Sequence, residues 1–174
     1  DYIAAAIEAG AIAVVASATA TVMGAVNVIS DNPRLEFAKL AAHFFKPFPE
    51  KLAAVTGTNG KTSTAELTRQ LWRMAGHRAA SIGTLGIVTS EEQVTTGMTT
   101  PDVVTFLSNL SGLEREGISH AIFEATSHGL DQYRVAGVFA KTVAFTNLSR
   151  DHLDYHETME AYFEAKMRLF DEIA

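Results

Sequence analysis

The stretch Val55-Thr56-Gly57-Thr58-Asn59-Gly60-Lys61-Thr62-Ser63 concentrates the residue types that hold phosphate. The apolar run Leu52–Thr56 before it predicts a buried strand. The spacing of Leu67 and Leu71 after it, to Ala75 and Gly76, predicts a helix. Glycines let a backbone turn tightly enough for its N–H groups to face an anion. A helix N-terminus adds positive potential at the same place. Gly57, Thr58, Asn59, Gly60, Lys61 and Thr62 therefore predict a polyphosphate cradle. Lys61 would reach the β- and γ-phosphates, and the Thr62 hydroxyl would bind Mg²⁺. The loop departs from the commonest pattern, because Val55 stands where a first glycine is usual; it is the shorter Gly-x-x-Gly-Lys-Thr. The bland alternative is a glycine-rich turn with a solvated lysine.

Three further positions invite chemistry. Ala121-Ile122-Phe123 runs straight into Glu124. A carboxylate after an apolar strand is poorly solvated unless it is paired or binds metal, so Glu124 is expected as a second Mg²⁺ ligand, with a salt-bridged strand-end Glu as the alternative. Val143-Ala144-Phe145 runs into Thr146-Asn147 and then Asp151-His152. Mg²⁺ prefers oxygen, so spacing alone leaves His152 an ordinary hydrogen-bonded histidine. Lys166 falls on the apolar stripe Met159, Tyr162, Phe163, Leu169, Phe170 and Ile173 of the last helix. By spacing it is expected to snorkel outward. The sharper alternative is a dry pocket, where desolvation lowers the amine pKa; the neutral amine then reacts with carbon dioxide to give a carbamate, an oxygen ligand.

The elements that must position these groups alternate. Helix signals cover Ile3, Ala6 and Ile7 up to Gly10. Ala11–Ala16 and Ala25–Ile29 read as short strands, and Asn32-Pro33 starts a helix that Pro47 ends. Beyond the loop, Arg78–Ile82 and Gly86–Thr89 read as strands around a glycine turn, and residues 90–98 as a polar loop. Thr100 is expected as N-cap of a helix carrying Val103, Phe106, Leu107, Leu110 and Leu113, and strands follow at Ile118–Ala125 and Thr142–Thr146. This order predicts an α/β fold with a mostly parallel sheet. Charged residues at 20% and hydrophobic residues at 47% exclude a disordered chain. A net charge of -6 argues against a general nucleic-acid binder, and the absence of cysteine excludes thiolate metal sites. The longest apolar stretch, Ala11–Ala16, is too short to span a membrane. The chain opens without methionine inside one helical pattern and stops inside another, so a piece of a longer protein is expected.

Taken together, Val55–Ser63, Thr99–Asp102 (TTPD), Glu124–Arg134 (EATSHGLDQYR), Thr146–His156 (TNLSRDHLDYH) and Tyr162–Lys166 (YFEAK) resemble the Mur ligases. The phosphate loop is shared with folylpolyglutamate synthetases; the Thr146–His156 stretch is more specific. The resemblance implies a central ATP-binding domain over 31–174, in part, preceded by the tail of a small α/β UDP-binding domain over 1–30. The C-terminal amino-acid-binding domain would be absent. It also implies a monomeric cytoplasmic enzyme that uses ATP and Mg²⁺ to join an amino acid to UDP-N-acetylmuramoyl-dipeptide, without nucleic acid or membrane partners. By that resemblance Gly57 to Thr62 and Asn147 would hold nucleotide, and Thr62 and Glu124 one Mg²⁺. His152 and a carbamylated Lys166 would serve a second, making Lys61, His152 and Lys166 the catalytic set. Thr99, Thr100, Thr126, Gln132 and Arg134 would contact the muramoyl-dipeptide. Thr126 stands where Ser is common, and Met98 where some members carry Asn, so no contact is expected from Met98. Asp31-Asn32-Pro33-Arg34 spells a diaminopimelate-recognition motif of the family, but at the wrong end of the chain, where a helix start explains it. A folylpolyglutamate synthetase-like ligase, a phosphate-loop GTPase or kinase, and a non-catalytic nucleotide-binding module remain the alternatives.

Overall fold

The computed structural model describes residues 2–95 and 97–174; Thr96, in the predicted loop 90–98, lies outside them. The first elements are α1 (Ile3–Glu8), β1 (Ala13–Ala16) and β2 (Val26–Ile29). The two strands pair in parallel as a small sheet of their own. Helix α2 (Pro33–Phe45) starts where Asn32-Pro33 predicts, with Asn32 Oδ1 accepting from the Leu35 N–H at 3.0 Å. That cap accounts for the Asp-Asn-Pro-Arg run.

The main sheet contains β3 (Lys51–Thr56), β4 (Ala79–Gly83), β5 (Gly86–Val88), β6 (Gln93–Val94), β7 (His120–Glu124) and β8 (Thr142–Phe145), in the order β6-β5-β4-β7-β3-β8. Strands β4, β7, β3 and β8 run parallel, while β5 and β6 turn back antiparallel. The pair Gln93–Val94 corrects the reading of 90–98 as loop: two residues suffice to close the hairpin when β5 offers a free edge.

Side chains alternate across β3. Leu52 and Ala54 enter a core with Ala41 and Ala42 of α2 and with Phe106, Leu107, Leu110 and Leu113 of α4 (Val103–Arg115). Ala53 and Val55 face the other way, against Ala65 and Trp72 of α3 (Lys61–Met74). The face of α3 turned to the sheet carries Ala65, Arg69 and Trp72. Leu67 and Leu71, whose spacing signalled the helix, are instead 59% and 63% exposed. The apolar spacing found the helix but not its packed side.

The N-cap of α4 is Asp102, which accepts from the Val104 and Thr105 N–H groups at 3.0 Å, not Thr100. Two short helices were not anticipated, α5 (Ser127–Asp131) and α6 (Leu153–His156). Helix α7 (Met159–Arg168) passes into a π-helical turn, Leu169–Ile173. It buries Tyr162, Ala165 and Lys166, while Phe163 is 43% exposed. Among the described residues no helix is long and apolar enough to cross a membrane.

Candidate active site

The parallel strands β4, β7, β3 and β8 share one direction, so their carboxyl ends meet at one edge. The chain leaves β3 toward β4 on one side and later returns as β8 on the other. A crevice at such a reversal is where open α/β sheets bind ligands. A cleft of about 520 Å³ opens there. Thr58, Asn59, Gly60, Lys61 and Thr62 line one wall, and Thr99, Thr100, Thr126 and Arg134 line another; Glu124 and His152 also reach it.

The loop after β3 is held from behind. Gly57 adopts φ +134, and a Cβ there would lie 2.0 Å from Thr146 Oγ1. Thr146 in turn donates to the carbonyls of Thr56 and Asn59. Asn147 does not line the cleft. It clamps the loop, with its Oδ1 accepting from the Asn59 N–H at 3.1 Å and its Nδ2 donating to the Asn59 carbonyl at 3.0 Å. The Thr58 hydroxyl meets the hydroxyl of fully buried Tyr162 at 3.1 Å. Gly60, with φ +85, opens α3.

Lys61 Nζ donates to the carbonyls of Gly57 and Thr58, both at 2.9 Å. Desolvation lowers its pKa, opposed by the negative charges of Glu124 and Asp151. Lys166 does not snorkel: it is 1% exposed and donates to the Gly57 carbonyl at 2.9 Å. Its Nζ lies 4.4 Å from the centre of the Tyr162 ring. Burial first, and then the charge of Lys61, push its pKa down to about 8 against the pull of Asp151. The amine sits under the loop, because Lys166 lies on the packed side of α7 with Tyr162 and Ala165. The His152 ring lies 6.0 Å from the Tyr162 ring, with a positive φ of 52 and its backbone N–H donating to Asp151 Oδ1.

Glu124 is 3% exposed and forms no ion pair among the described residues. Its Oε2 accepts from the Thr62 hydroxyl at 3.0 Å. A hydroxyl and a carboxylate converging on a cleft are hard oxygen donors, and they fit Mg²⁺. Among the described residues no three His, Asp or Glu side chains gather into a metal cluster, so further ligands at this pair would come from phosphate or water.

On the opposite wall the Thr100 hydroxyl donates to the Glu124 carbonyl at 2.9 Å and accepts from Thr126. Arg134 is aimed by Gln132, whose Oε1 accepts from Nη2 at 2.7 Å and from Nε at 3.1 Å. Gln132 itself does not line the cleft; its Nε2 donates to the Tyr155 hydroxyl. Met98 does line it, 4.0 Å from Arg134 Nη1. Sequence reading missed Thr84 and His128, both at the cleft. The signal for Thr84 was its place after β4, whose carboxyl end lies on the same edge as those of β3 and β7. His128 is the second residue of α5 and packs against the rings of His152 and Tyr155.

A strand-loop-helix cradle, a buried carboxylate at the neighbouring strand end and a hydroxyl-lined far wall describe a parallel-sheet domain of the phosphate-loop kind. Residues 55–174 match the profile of the Mur ligase middle domain, and the chain belongs to that family. Along 172 residues it is 62% identical to the UDP-N-acetylmuramoyl-L-alanyl-D-glutamate–2,6-diaminopimelate ligase of Zymomonas mobilis, covering 99% of this chain and 35% of that protein. The Bradyrhizobium diazoefficiens ligase of the same name is 48% identical, covering 99% of this chain and 36% of that one. A solved structure of a ligase so named superposes with a TM-score of 0.81 at 34% identity, covering 97% of this chain and 34% of that chain. The chain thus spans about a third of the length of the curated relatives it matches.

Proposed function

We propose that this chain carries the nucleotide site of an ATP-dependent ligase that adds a third amino acid, diaminopimelate, to UDP-N-acetylmuramoyl-L-alanyl-D-glutamate in the cytoplasm, for peptidoglycan synthesis. The observation that carries the reading is that Lys61 and the Thr62–Glu124 pair face the same cleft as Thr99, Thr126 and Arg134. That arrangement supports a reading in which a phosphate donor and an acceptor carboxylate would meet in one cleft. The names of the relatives support the substrate and the amino acid. Residues 1–30 are read as the end of a UDP-binding domain, 31–174 as part of the ATP-binding domain, and the amino-acid-binding domain as lying outside the chain.

The reaction moves the γ-phosphoryl group of ATP onto the D-glutamyl γ-carboxylate, giving an acyl phosphate and ADP. The amine of the amino acid then attacks the acyl carbon, phosphate leaves, and the amine gives up a proton. Such transfer depends on alignment and charge neutralisation. Lys61 would exchange its loop carbonyls for phosphate oxygens, and the loop N–H groups would bind the polyphosphate. Arg134, aimed by Gln132, would hold the acceptor carboxylate across the cleft. Thr62 and Glu124 would hold Mg²⁺, which when bound neutralises phosphate oxygens. His152 and a carbamylated Lys166 would serve a second Mg²⁺.

Fluorescent ATP analogue titrated into the chain with Mg²⁺ tests the nucleotide site; no saturable binding would overturn it. In the longer ligase that carries this sequence, hydroxylamine should trap a hydroxamate that depends on the muramoyl-dipeptide. ADP formed without hydroxamate would overturn the acyl-phosphate chemistry. Residues 1–174 alone are expected to form no tripeptide product, and measurable product would contradict the assigned domain division.

A further inference from the structure

We propose that Thr84 is a positioning residue that links the acceptor wall of the cleft to the carboxylate of Glu124, an inference that rests on the ligase reading above. Thr84 and Leu85 form the two-residue connection between β4 and β5, closed by the Gly83–Gly86 pair. The turn is seated directly on Glu124. A Cβ on Gly83 would lie 2.0 Å from Glu124 Oε1, and one on Gly86 would lie 2.0 Å from the Val94 carbonyl oxygen. Neither flank of the turn has room for a side chain, so Thr84 is held in one place. Arg69 of α3 donates to the Thr89 carbonyl at 3.2 Å and fixes the same hairpin to the helix that begins at Lys61.

The Thr84 backbone N–H donates to Glu124 Oε1 at 2.9 Å, and its hydroxyl donates to Oε2 at 3.3 Å. Oε2 is the oxygen that also accepts from Thr62. The Thr84 hydroxyl lies 3.0 Å from that of Thr99. A hydroxyl has a single proton. Once Thr84 gives its proton to Glu124, its oxygen accepts from Thr99, and Thr99 is left with acceptor lone pairs toward the cleft. The chain Thr99 to Thr84 to Glu124 therefore has a direction. It sets the carboxylate for Mg²⁺, and it makes Thr99 suited to an N–H or O–H of the acceptor substrate rather than to a carboxylate.

The test is the Mg²⁺ concentration that half-saturates binding of a fluorescent ATP analogue to the full chain. Thr84→Val keeps the backbone N–H and the shape of an exposed side chain, and it should raise that concentration roughly tenfold, the worth of one hydrogen bond to a charged group. Thr84→Ser should restore it. In a Glu124→Ala background Thr84→Val should add nothing, because the two act as one unit. A Thr84→Val chain that matches the wild type, with the wild type still Mg²⁺-dependent, overturns the positioning role and leaves the ligase reading standing. A Thr84→Ser chain as impaired as Thr84→Val overturns it too, as does an additive effect on Glu124→Ala. Wild-type binding that ignores Mg²⁺ overturns the reading beneath it.

Discussion

Lys61 and Lys166 donate to one and the same carbonyl oxygen, that of Gly57, each at 2.9 Å. One lysine comes from the first turn of α3 and the other from the last turn of α7. Two ammonium groups on a single carbonyl is a costly arrangement, which the proposed polyphosphate would relieve by drawing Lys61 to itself. Lys61→Ala should weaken ATP-analogue binding by roughly ten- to a hundredfold, the range for charge-assisted hydrogen bonds. A fluorescence titration checks this, and unchanged affinity would remove Lys61 from the site.

The Lys166 amine makes a pH prediction. Its folded pKa of about 8 lies below the ordinary lysine value of 10.5. The folded chain therefore loses this proton before the unfolded chain does, and folding carries the cost of the buried charge at all pH values below about 8. The cost is relieved as pH rises from about 8 toward the ordinary lysine range. Relative to Lys166→Met, the wild type should gain thermal stability across that interval. A difference in melting temperature that stays flat would show that the amine titrates normally. The same neutral fraction should yield a carbamate signal in ¹³C NMR with labelled bicarbonate, absent in Lys166→Met.

Gly57 and Gly60 should respond differently to a single methyl group. At Gly57 the new Cβ would collide with Thr146 Oγ1 at 2.0 Å, so Gly57→Ala must displace β8's end or the loop itself. At Gly60 the nearest atoms are 3.9 Å away, leaving only the cost of a left-handed conformation, about 1–2 kcal/mol. Gly57→Ala should abolish nucleotide binding, whereas Gly60→Ala should mainly lower the melting temperature. Equal loss of binding in both would show that the loop is governed by backbone conformation rather than by contact with Thr146.

Arg69 is 5% exposed and pairs with Glu66 one turn earlier on α3. Removing the guanidinium leaves Glu66 and the Thr89 carbonyl without it. Arg69→Met should cost about 2–3 kcal/mol in denaturant unfolding. Replacing both Arg69 and Glu66 with apolar residues should cost less than the sum of the single changes.

How much of this was legible in the sequence depends on the kind of signal. The strand, loop and helix around Gly57–Lys61 were legible because glycine, lysine and an apolar run each carry a local meaning. Glu124 was legible because a carboxylate after three apolar residues has few places to go. Lys166 was placed on the buried stripe by spacing but misjudged by residue type: a lysine there was expected to snorkel outward, whereas it is buried with Tyr162, Ala165 and Leu169. Gln132 was read as a contact and stands behind Arg134, a distinction of depth that spacing does not encode, whereas Asn147, read as ordering the nucleotide site, does clamp its loop. Thr84 carried only the faint signal of its place after β4, because the contact that singles it out is with Glu124, forty residues away in the chain.

The bond from Lys166 to Gly57 spans 109 residues, and it has a bearing on how the molecule matures. Closing a loop of that length costs entropy that is recovered only when both ends are in place. The anion cradle is therefore complete only once β8 and α7 are both in place, since Asn147, Thr146 and Lys166 hold the loop from behind across 88, 90 and 109 residues of chain.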